Sequence, residues 1–178
     1  MKTNIALIGY MGTGKTIVGQ LLAEKLEREF LDMDLLIEQK TGKSIPDIFR
    51  QDGQIAFREL EMEIAKDVSD KDKAVISCGG GIVLNQISID RLRLKGRTIY
   101  LTAAPSVILR RVSREVGQRP LLDVDNPVLA IRQMLKQRQP FYDRAADLTI
   151  NTSKLDADSV AEQIIDKLKE DEGFSFSK

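Results

Sequence analysis

Eight residues near the amino terminus form the pattern most clearly suited to chemistry. Residues 9–16 read Gly-Tyr-Met-Gly-Thr-Gly-Lys-Thr and fit G-x-x-x-x-G-K-[ST], a phosphate-binding loop. In such a loop successive N–H groups point at phosphate oxygens, and the following helix adds the positive end of its dipole. Lys15 would reach the β- and γ-phosphates, and Thr16 would bind Mg²⁺. The motif predicts a nucleotide site, but hydrolases, switches, motors and kinases all use this loop.

Two carboxylates follow at the end of the second predicted strand, residues 30–34. Asp32 and Asp34 are two apart, so on a strand their side chains leave the same face. Near Mg²⁺ and phosphate, one carboxylate can serve the metal while the other accepts a hydrogen bond from an attacking hydroxyl. The alternative is a pair of solvated acids, since aspartate is common at strand ends.

A predicted helix over residues 55–68 carries Arg58 and Glu61, which are three apart and therefore lie on one surface. An ion pair between them could orient the guanidinium, whose planar fork of donors suits a substrate carboxylate. The alternative is a surface salt bridge worth under about 1 kcal/mol. Spacing alone favours this second interpretation.

The glycine triplet at residues 79–81 follows another predicted strand. Its bare N–H groups could contact a polyhydroxylated ligand, and a tight strand-to-helix turn would use the same residues. Cys78 precedes the triplet in an apolar strand. Because the chain has no histidine to activate a thiol, we predict that Cys78 is a buried packing residue without chemistry.

Two further arginines are candidates for the site. Arg119 lies in a stretch without clean periodicity, residues 113–126, and could swing over a bound nucleotide to neutralise the transferring phosphoryl group. Arg138 lies two residues before Pro140, where the pattern predicts the last turn of a helix. There it could simply complement the helix dipole.

The elements that would position these residues alternate along the chain. Helical periodicity separates short apolar runs, which predicts an α/β fold with a mainly parallel sheet and helices on both faces. A helical segment separates the second and third strands, no linker divides the chain, and the tail after Glu170 is expected to fray. The predicted strands are residues 4–8, 30–34, 74–77, 97–102 and 148–151, and the predicted helices include 15–28, 55–68, 105–112, 128–139 and 159–168.

Bulk composition narrows the classes of partner. Lys plus Arg equals 27 and Asp plus Glu equals 27, so no basic field would draw the chain to nucleic acid. No stretch approaches the roughly 20 apolar residues of a membrane span. Without histidine, the common zinc sites cannot form. A single cysteine and the lack of a signal-peptide pattern predict a cytoplasmic protein.

Taken together, these motifs resemble those of the shikimate kinase family, in a consistent order over residues 3–170. The resemblance implies a three-layer α/β/α P-loop kinase fold, similar to that of nucleoside-monophosphate kinases, with a five-stranded parallel sheet. It also implies one monomeric domain over residues 1–178, with a helical shikimate-binding insert at about 35–69, a lid at about 113–126 and a frayed tail at 171–178. The motifs are the phosphate loop, Asp32-Met33-Asp34, Phe57-Arg58-x-x-Glu61, Gly79-Gly80-Gly81, Arg119-Pro120-Leu121-Leu122 and Arg138-x-Pro140-x-Tyr142.

The resemblance also implies roles for individual residues. Arg58 and Arg138 would hold the shikimate carboxylate, and Asp34 its hydroxyls, including the 3-hydroxyl that attacks. Asp32 would support Mg²⁺ through water, and Arg119 would come from the lid. Arg111, or its equally charged neighbour Arg110, would lie by adenine. The nucleotide-binding set is Gly12, Thr13, Gly14, Lys15, Thr16, Arg111 and Arg119, and the shikimate-binding set is Asp34, Arg58, Gly80, Gly81 and Arg138.

The expected reaction is transfer of the γ-phosphoryl group of ATP to the 3-hydroxyl of shikimate, giving shikimate 3-phosphate and ADP on the route to chorismate and aromatic amino acids. Lys15, Arg119 and Mg²⁺ would stabilise charge while Asp34 orients the hydroxyl. The alternative is another small-molecule P-loop kinase, such as a gluconate or nucleotide kinase. A guanine-nucleotide switch is disfavoured, because no Asn-Lys-x-Asp run occurs.

Overall fold

The computed structural model describes residues 1–113 and 125–176. Its centre is a parallel sheet of five strands in the order β2-β3-β1-β4-β5. Every residue of β1 is buried, as expected for an apolar strand covered on both faces. The carboxyl ends of parallel strands meet at one edge, which is where ligands bind in open α/β sheets. The strands are β1 Asn4–Ile8, β2 Glu29–Asp32, β3 Ala74–Ser77, β4 Gly96–Thr102 and β5 Leu148–Asn151.

Helices cover both faces of the sheet, which confirms the predicted three-layer α/β/α fold. Alternate residues of β1 enter different cores: Ala6 and Ile8 pack with α2 to α5 and the end of α7, and Ile5 and Leu7 pack with α1 and α8. The helices are α1 Lys15–Leu26, α2 Met33–Thr41, α3 Ile45–Gln51, α4 Gly53–Ser69, α5 Gln86–Lys95, α6 Pro105–Val112, α7 Pro127–Ala145 and α8 Ala157–Lys169, with a short 3₁₀ helix at Ile82–Leu84.

The predicted second strand is two residues too long. β2 ends at Asp32, whose carboxylate accepts hydrogen bonds from the N–H groups of Asp34 and Leu35 and so caps α2. Local capping by aspartate competes with continuation of the strand. Asp34 therefore lies in the first turn of α2, and the prediction that Asp32 and Asp34 leave one face of a strand is wrong.

The predicted end of a helix at Pro140 is also wrong, because α7 continues to Ala145. Proline removes one backbone hydrogen bond and crowds the preceding turn, at a cost of about 3 kcal/mol. Beyond it, however, Tyr142 is fully buried and stacks on Tyr100 with ring centroids 4.5 Å apart. Burial of this last turn offsets the local cost, so tertiary packing overrides the helix-breaking signal.

The tail is packed rather than frayed over residues 171–176. Phe174 is 5% exposed and forms a parallel bridge with Lys2. Backbone hydrogen bonds run from the Lys2 N–H to the Gly173 carbonyl, 2.9 Å, and from the Ser175 N–H to the Lys2 carbonyl, 2.8 Å. The expectation of a frayed tail is therefore wrong for these residues.

Two further expectations concern the lid and a membrane. The predicted lid at residues 113–126 falls mostly on residues 114–124, which lie outside the described residues. Among the helices that are described, none is long and apolar enough to cross a membrane.

Candidate active site

One cleft of about 1410 Å³ lies at the carboxyl edge of the sheet. It gathers every predicted site residue that the structure describes, although these residues come from distant parts of the chain. Arg119 lies outside the described residues. The predicted residues that line the cleft are Gly12, Thr13, Gly14, Lys15, Thr16, Asp32, Asp34, Arg58, Gly80, Gly81, Arg111 and Arg138.

The phosphate loop connects β1 to α1 and requires glycine at its tightest points. Gly12 has φ +71°, and a Cβ there would lie 2.9 Å from Val112 Cγ1. The Thr13 hydroxyl donates to the Tyr10 carbonyl at 2.8 Å. The Lys15 ammonium donates to the Gly9 and Tyr10 carbonyls at 2.9 and 3.0 Å. The lysine charge is therefore held against the loop itself, where the phosphates of a nucleotide would bind.

Thr16 and Asp32 supply two oxygen ligands beside the loop. The Thr16 hydroxyl donates to Asp32 Oδ2 at 3.1 Å, across the gap between α1 and the end of β2. Mg²⁺ prefers hard oxygen ligands and usually takes one or two protein groups plus phosphate oxygens and waters. The donor set therefore fits a nucleotide-bound Mg²⁺.

Arg58 and Glu61 form an ion pair that is not an ordinary surface salt bridge. Arg58 Nη1 lies 2.5 Å from Glu61 Oε2, and the Glu61 side chain is 2% exposed. Burial raises the pKa of Glu61, while the charge and hydrogen bond of Arg58 oppose that shift. Glu61 Oε1 is buried and has no hydrogen-bond partner among the described residues. A buried carboxylate thus fixes the direction of the arginine fork, as the site interpretation requires.

The glycine triplet brings the acceptor-side groups together. A Cβ at Gly81 would lie 2.4 Å from Arg58 Nη2. A Cβ at Gly79 would lie 2.8 Å from Glu61 Oε1 and 3.1 Å from Asp34 Oδ1. The triplet also makes a tight turn, since the Ile82 N–H donates to the Gly79 carbonyl at 3.1 Å. The tight-turn interpretation of the triplet is therefore confirmed, and the turn leaves open the space that Asp34, Arg58 and Glu61 face.

Arg138 approaches the same triplet from α7. Its Nη1 donates to the Gly80 carbonyl at 3.3 Å, and the Tyr142 hydroxyl donates to the same carbonyl at 2.7 Å. Because α7 continues to Ala145, Arg138 does not lie in its last turn. Complementing the helix dipole therefore does not account for this arginine.

Arg111 joins the phosphate loop to the segment after β5. Its guanidinium donates to the Gly12 carbonyl at 3.1 Å, to Thr152 Oγ1 at 2.9 Å and to the Thr152 carbonyl at 2.7 Å. Arg110, the alternative candidate, is exposed and does not line the cleft. This geometry favours Arg111 as the arginine that meets a bound nucleotide.

Sequence reasoning missed Thr152 and the ring of Tyr10. Thr152 is 2% exposed, and its hydroxyl lies 3.0 Å from the Thr13 carbonyl. It directly follows β5, so its position at the carboxyl edge of the sheet was a usable signal.

Cys78 is 2% exposed and burial raises the pKa of its thiol, which supports the prediction of a packing residue.

The chain is similar to known proteins over most of its length. A family model described as shikimate kinase matches residues 11–169. The chain is 44% identical over 162 residues to a shikimate kinase of Thermodesulfovibrio yellowstonii, covering 91% of this chain and 92% of the relative. It is 42% identical over 166 residues to one from Thermus thermophilus, covering 93% of this chain and 90% of the relative.

Solved structures are similar to this chain as well. The shikimate kinase of Acinetobacter baumannii, in complex with shikimate, matches with a TM-score of 0.90 and 38% identity over 97% of this chain and 96% of the other. A gluconokinase from Sinorhizobium meliloti matches with a TM-score of 0.54 and 16% identity, over 96% of this chain and 98% of the other. The second likeness concerns the fold alone.

Proposed function

This chain belongs to the shikimate kinase family, and we propose that its cleft transfers the γ-phosphoryl group of ATP to the 3-hydroxyl of shikimate. The products are shikimate 3-phosphate and ADP, in the biosynthesis of aromatic amino acids by way of chorismate. One observation carries the proposal. Two arginines, Arg58 and Arg138, approach adjacent glycines of one triplet, beside Asp34 and in the same cleft as the phosphate loop.

The donor half of the site would bind the triphosphate of ATP. Loop N–H groups and the Lys15 ammonium would contact phosphate oxygens, and the amino end of α1 adds its dipole. Thr16 and Asp32 would hold Mg²⁺, directly or through water, which supplies positive charge against the phosphates. Arg111, fixed by Thr152, would lie beside the adenine.

The acceptor half would hold the carboxylate and the hydroxyls of shikimate. Arg58 and Arg138 would donate to the carboxylate, and the bare backbone at Gly80 and Gly81 would let the ring approach closely. Asp34 would accept a hydrogen bond from the 3-hydroxyl and orient its oxygen towards the γ-phosphorus.

The transfer would proceed in line and in one step. The bond from the 3-oxygen to phosphorus forms as the bond from phosphorus to the bridging oxygen of ADP breaks, and the proton of the 3-hydroxyl would pass to the Asp34 carboxylate. No covalent enzyme intermediate is needed. Lys15 would stabilise the charge on the transferred group, together with Arg119, which lies outside the described residues.

A panel of acceptors tests the assignment against its rivals. ADP release would be measured with shikimate, quinate, gluconate and nucleoside monophosphates at equal concentration. We expect the largest stimulation by shikimate, because Arg58 and Arg138 would hold its carboxylate while Asp34 holds its hydroxyls. Quinate and gluconate also carry a carboxylate, so they test whether the site selects the rest of the acceptor. Arg58→Ala should abolish this stimulation while nucleotide binding persists. Stimulation by gluconate or by a nucleotide instead of shikimate would overturn the proposal.

We also propose that the enzyme works as a cytoplasmic monomer. The described residues of the proposed site line one cleft of a single chain, which supports a monomer. Light scattering after gel filtration should give a mass near 20.0 kDa. A stable dimer whose dissociation abolishes activity would contradict this proposal.

A further inference from the structure

Tyr10 is the second residue of the phosphate loop, and its ring faces an arginine of the acceptor half. The side chain is buried, and the guanidinium carbon of Arg138 lies 5.8 Å from the ring centroid. A guanidinium within about 6 Å of an aromatic face is attracted by the ring quadrupole. A residue of the donor loop therefore contacts the group proposed to hold the acceptor.

The backbone of Tyr10 is tied to the catalytic lysine. Its carbonyl accepts hydrogen bonds from the Thr13 hydroxyl and from the Lys15 ammonium. Bound phosphates would compete with the Tyr10 carbonyl for the Lys15 ammonium. The ring that Arg138 faces thus belongs to a residue whose backbone contacts the proposed nucleotide-binding lysine.

The loop and the glycine triplet are also in direct contact. A Cβ on Gly80 would lie 3.5 Å from the Gly9 carbonyl oxygen and 4.0 Å from Tyr10 Cα. The Gly80 carbonyl accepts from both Arg138 and Tyr142. Arg138 is therefore held from two sides, by the triplet carbonyl and by the Tyr10 ring.

Tyr10 also packs against the helix that carries Arg138. It belongs to a small apolar cluster with Ile108 and Val112 of α6 and Ile131 of α7, and Leu135 of α7 packs against that cluster. Leu135 lies three residues before Arg138 and thus on the same surface of α7. A displacement of the phosphate loop would therefore be transmitted through these contacts to the face of α7 that carries Arg138.

The two carboxylate-binding arginines are therefore held in different ways. Arg58 pairs with the buried carboxylate of Glu61 and lies 5.1 Å from the ring centroid of Phe57, so both of these partners belong to its own helix. Arg138 rests on a ring that belongs to the loop. We propose that Tyr10 is a positioning residue that holds Arg138 for the carboxylate of the acceptor and so links the state of the phosphate loop to acceptor affinity. The inference rests on the proposed function.

Replacing the ring tests the role of Tyr10. Tyr10→Leu removes the aromatic face, and Tyr10→Phe keeps it. A cation–π contact of about 0.5–2 kcal/mol corresponds to a change of about 2- to 30-fold. We expect Tyr10→Leu to raise the KM for shikimate by that factor, with a smaller change in the KM for ATP and in kcat. Tyr10→Phe should restore most of the affinity.

An acceptor without the charge separates positioning from general damage to the loop. In shikimate methyl ester a neutral ester group replaces the carboxylate, so the ion pair with Arg138 is lost. The penalty of Tyr10→Leu should shrink to less than about 2-fold with the ester. In a double-mutant cycle, the penalty of Tyr10→Leu should likewise shrink to less than about 2-fold when Arg138 is already replaced by alanine. The two substitutions remove one shared interaction. If Tyr10→Leu does not fold, Tyr10→Met removes the ring with an unbranched side chain.

The outcomes are distinct. An equal penalty with shikimate and its ester, a larger effect on the KM for ATP, or full additivity with Arg138→Ala would overturn the role of Tyr10 and leave the proposed function intact. No shikimate-dependent ADP formation by the wild-type protein would overturn both proposals.

Discussion

At Gly81 the absence of a side chain leaves room for the guanidinium of Arg58. An added Cβ would meet Arg58 Nη2 at 2.4 Å and Nη1 at 2.5 Å. These atoms end a flexible side chain, so we expect Gly81→Ala to move Arg58 and change the free energy of unfolding by less than about 1 kcal/mol. Loss of a charged hydrogen bond should raise the KM for shikimate about 10- to 100-fold. Steady-state kinetics and urea denaturation measure the two effects.

Gly80→Ala is the matched control for Gly81→Ala. A Cβ at Gly80 meets no heavy atom closer than 3.5 Å, which is ordinary van der Waals contact. A Cβ at Gly80 leaves Arg58 in place, so any loss of shikimate affinity in Gly80→Ala would come from contact with the acceptor alone. An unchanged KM for shikimate in Gly81→Ala would show that Arg58 is not displaced in the way that the geometry requires.

Asp34 is the carboxylate proposed to orient the attacking hydroxyl. Asp34→Asn keeps the shape of the side chain but weakens its acceptor, so kcat should fall about 100-fold or more. Nucleotide affinity, measured by calorimetry, should change little, because Asp34 contacts the acceptor half. Asp32→Asn is the control and should raise the Mg²⁺ concentration needed for half-maximal rate. Near-normal turnover in Asp34→Asn would remove Asp34 from this role.

Single residues were predictable where a motif carries its own mechanism. The phosphate loop specified Lys15 and Thr16 from spacing alone. The burial of Glu61 and the contact of Tyr10 with Arg138 were not predictable, because each depends on elements far apart in sequence. Identifying Arg58 and Arg138 as one pair required the resemblance to a family, since their spacing in sequence is compatible with simpler roles.

Among the helices, α7 shows how packing overrides a local signal. It runs through Pro140, which is exposed, and continues to the buried Tyr142 and Ala145. Pro140→Ala should restore the backbone hydrogen bond and remove a helix penalty of about 3 kcal/mol. The more flexible unfolded chain of the variant should lower the free energy of unfolding by about 0.4–1 kcal/mol. We therefore expect a gain of about 2 kcal/mol in the free energy of unfolding. A loss of stability in urea would contradict this explanation.

Element boundaries were predicted less well than the elements themselves. All five strands were predicted from apolar runs. The boundary between β2 and α2 was missed because Asp32 can either continue a strand or cap a helix. Only the contacts of the folded chain decide between these two options.

The packed tail and the phosphate loop lie at opposite ends of β1. The tail bridges Lys2 before this strand, and the phosphate loop follows it, so about 16 Å of strand lies between them. Phe174→Ala should cost about 3–5 kcal/mol of unfolding free energy, because the ring is 5% exposed. The kcat/KM for shikimate, measured well below the melting temperature, should stay within about 2-fold of wild type.

Phe176→Ala is the matched control in the same tail. Phe176 is only partly buried, with its ring centroid 5.0 Å from that of Phe174, so the stability loss should be smaller. Equal losses, or a fall in kcat/KM without loss of stability, would mean that the tail does not act only through packing.

The identity of the products shows whether one cleft joins an ATP donor to a carboxylate acceptor. The protein, ATP, Mg²⁺ and shikimate would be incubated, with the products followed by phosphorus and proton NMR. We expect a phosphate monoester on the 3-oxygen of shikimate and one ADP for each ester formed. ADP and inorganic phosphate without the ester, or phosphate at another hydroxyl, would contradict this expectation.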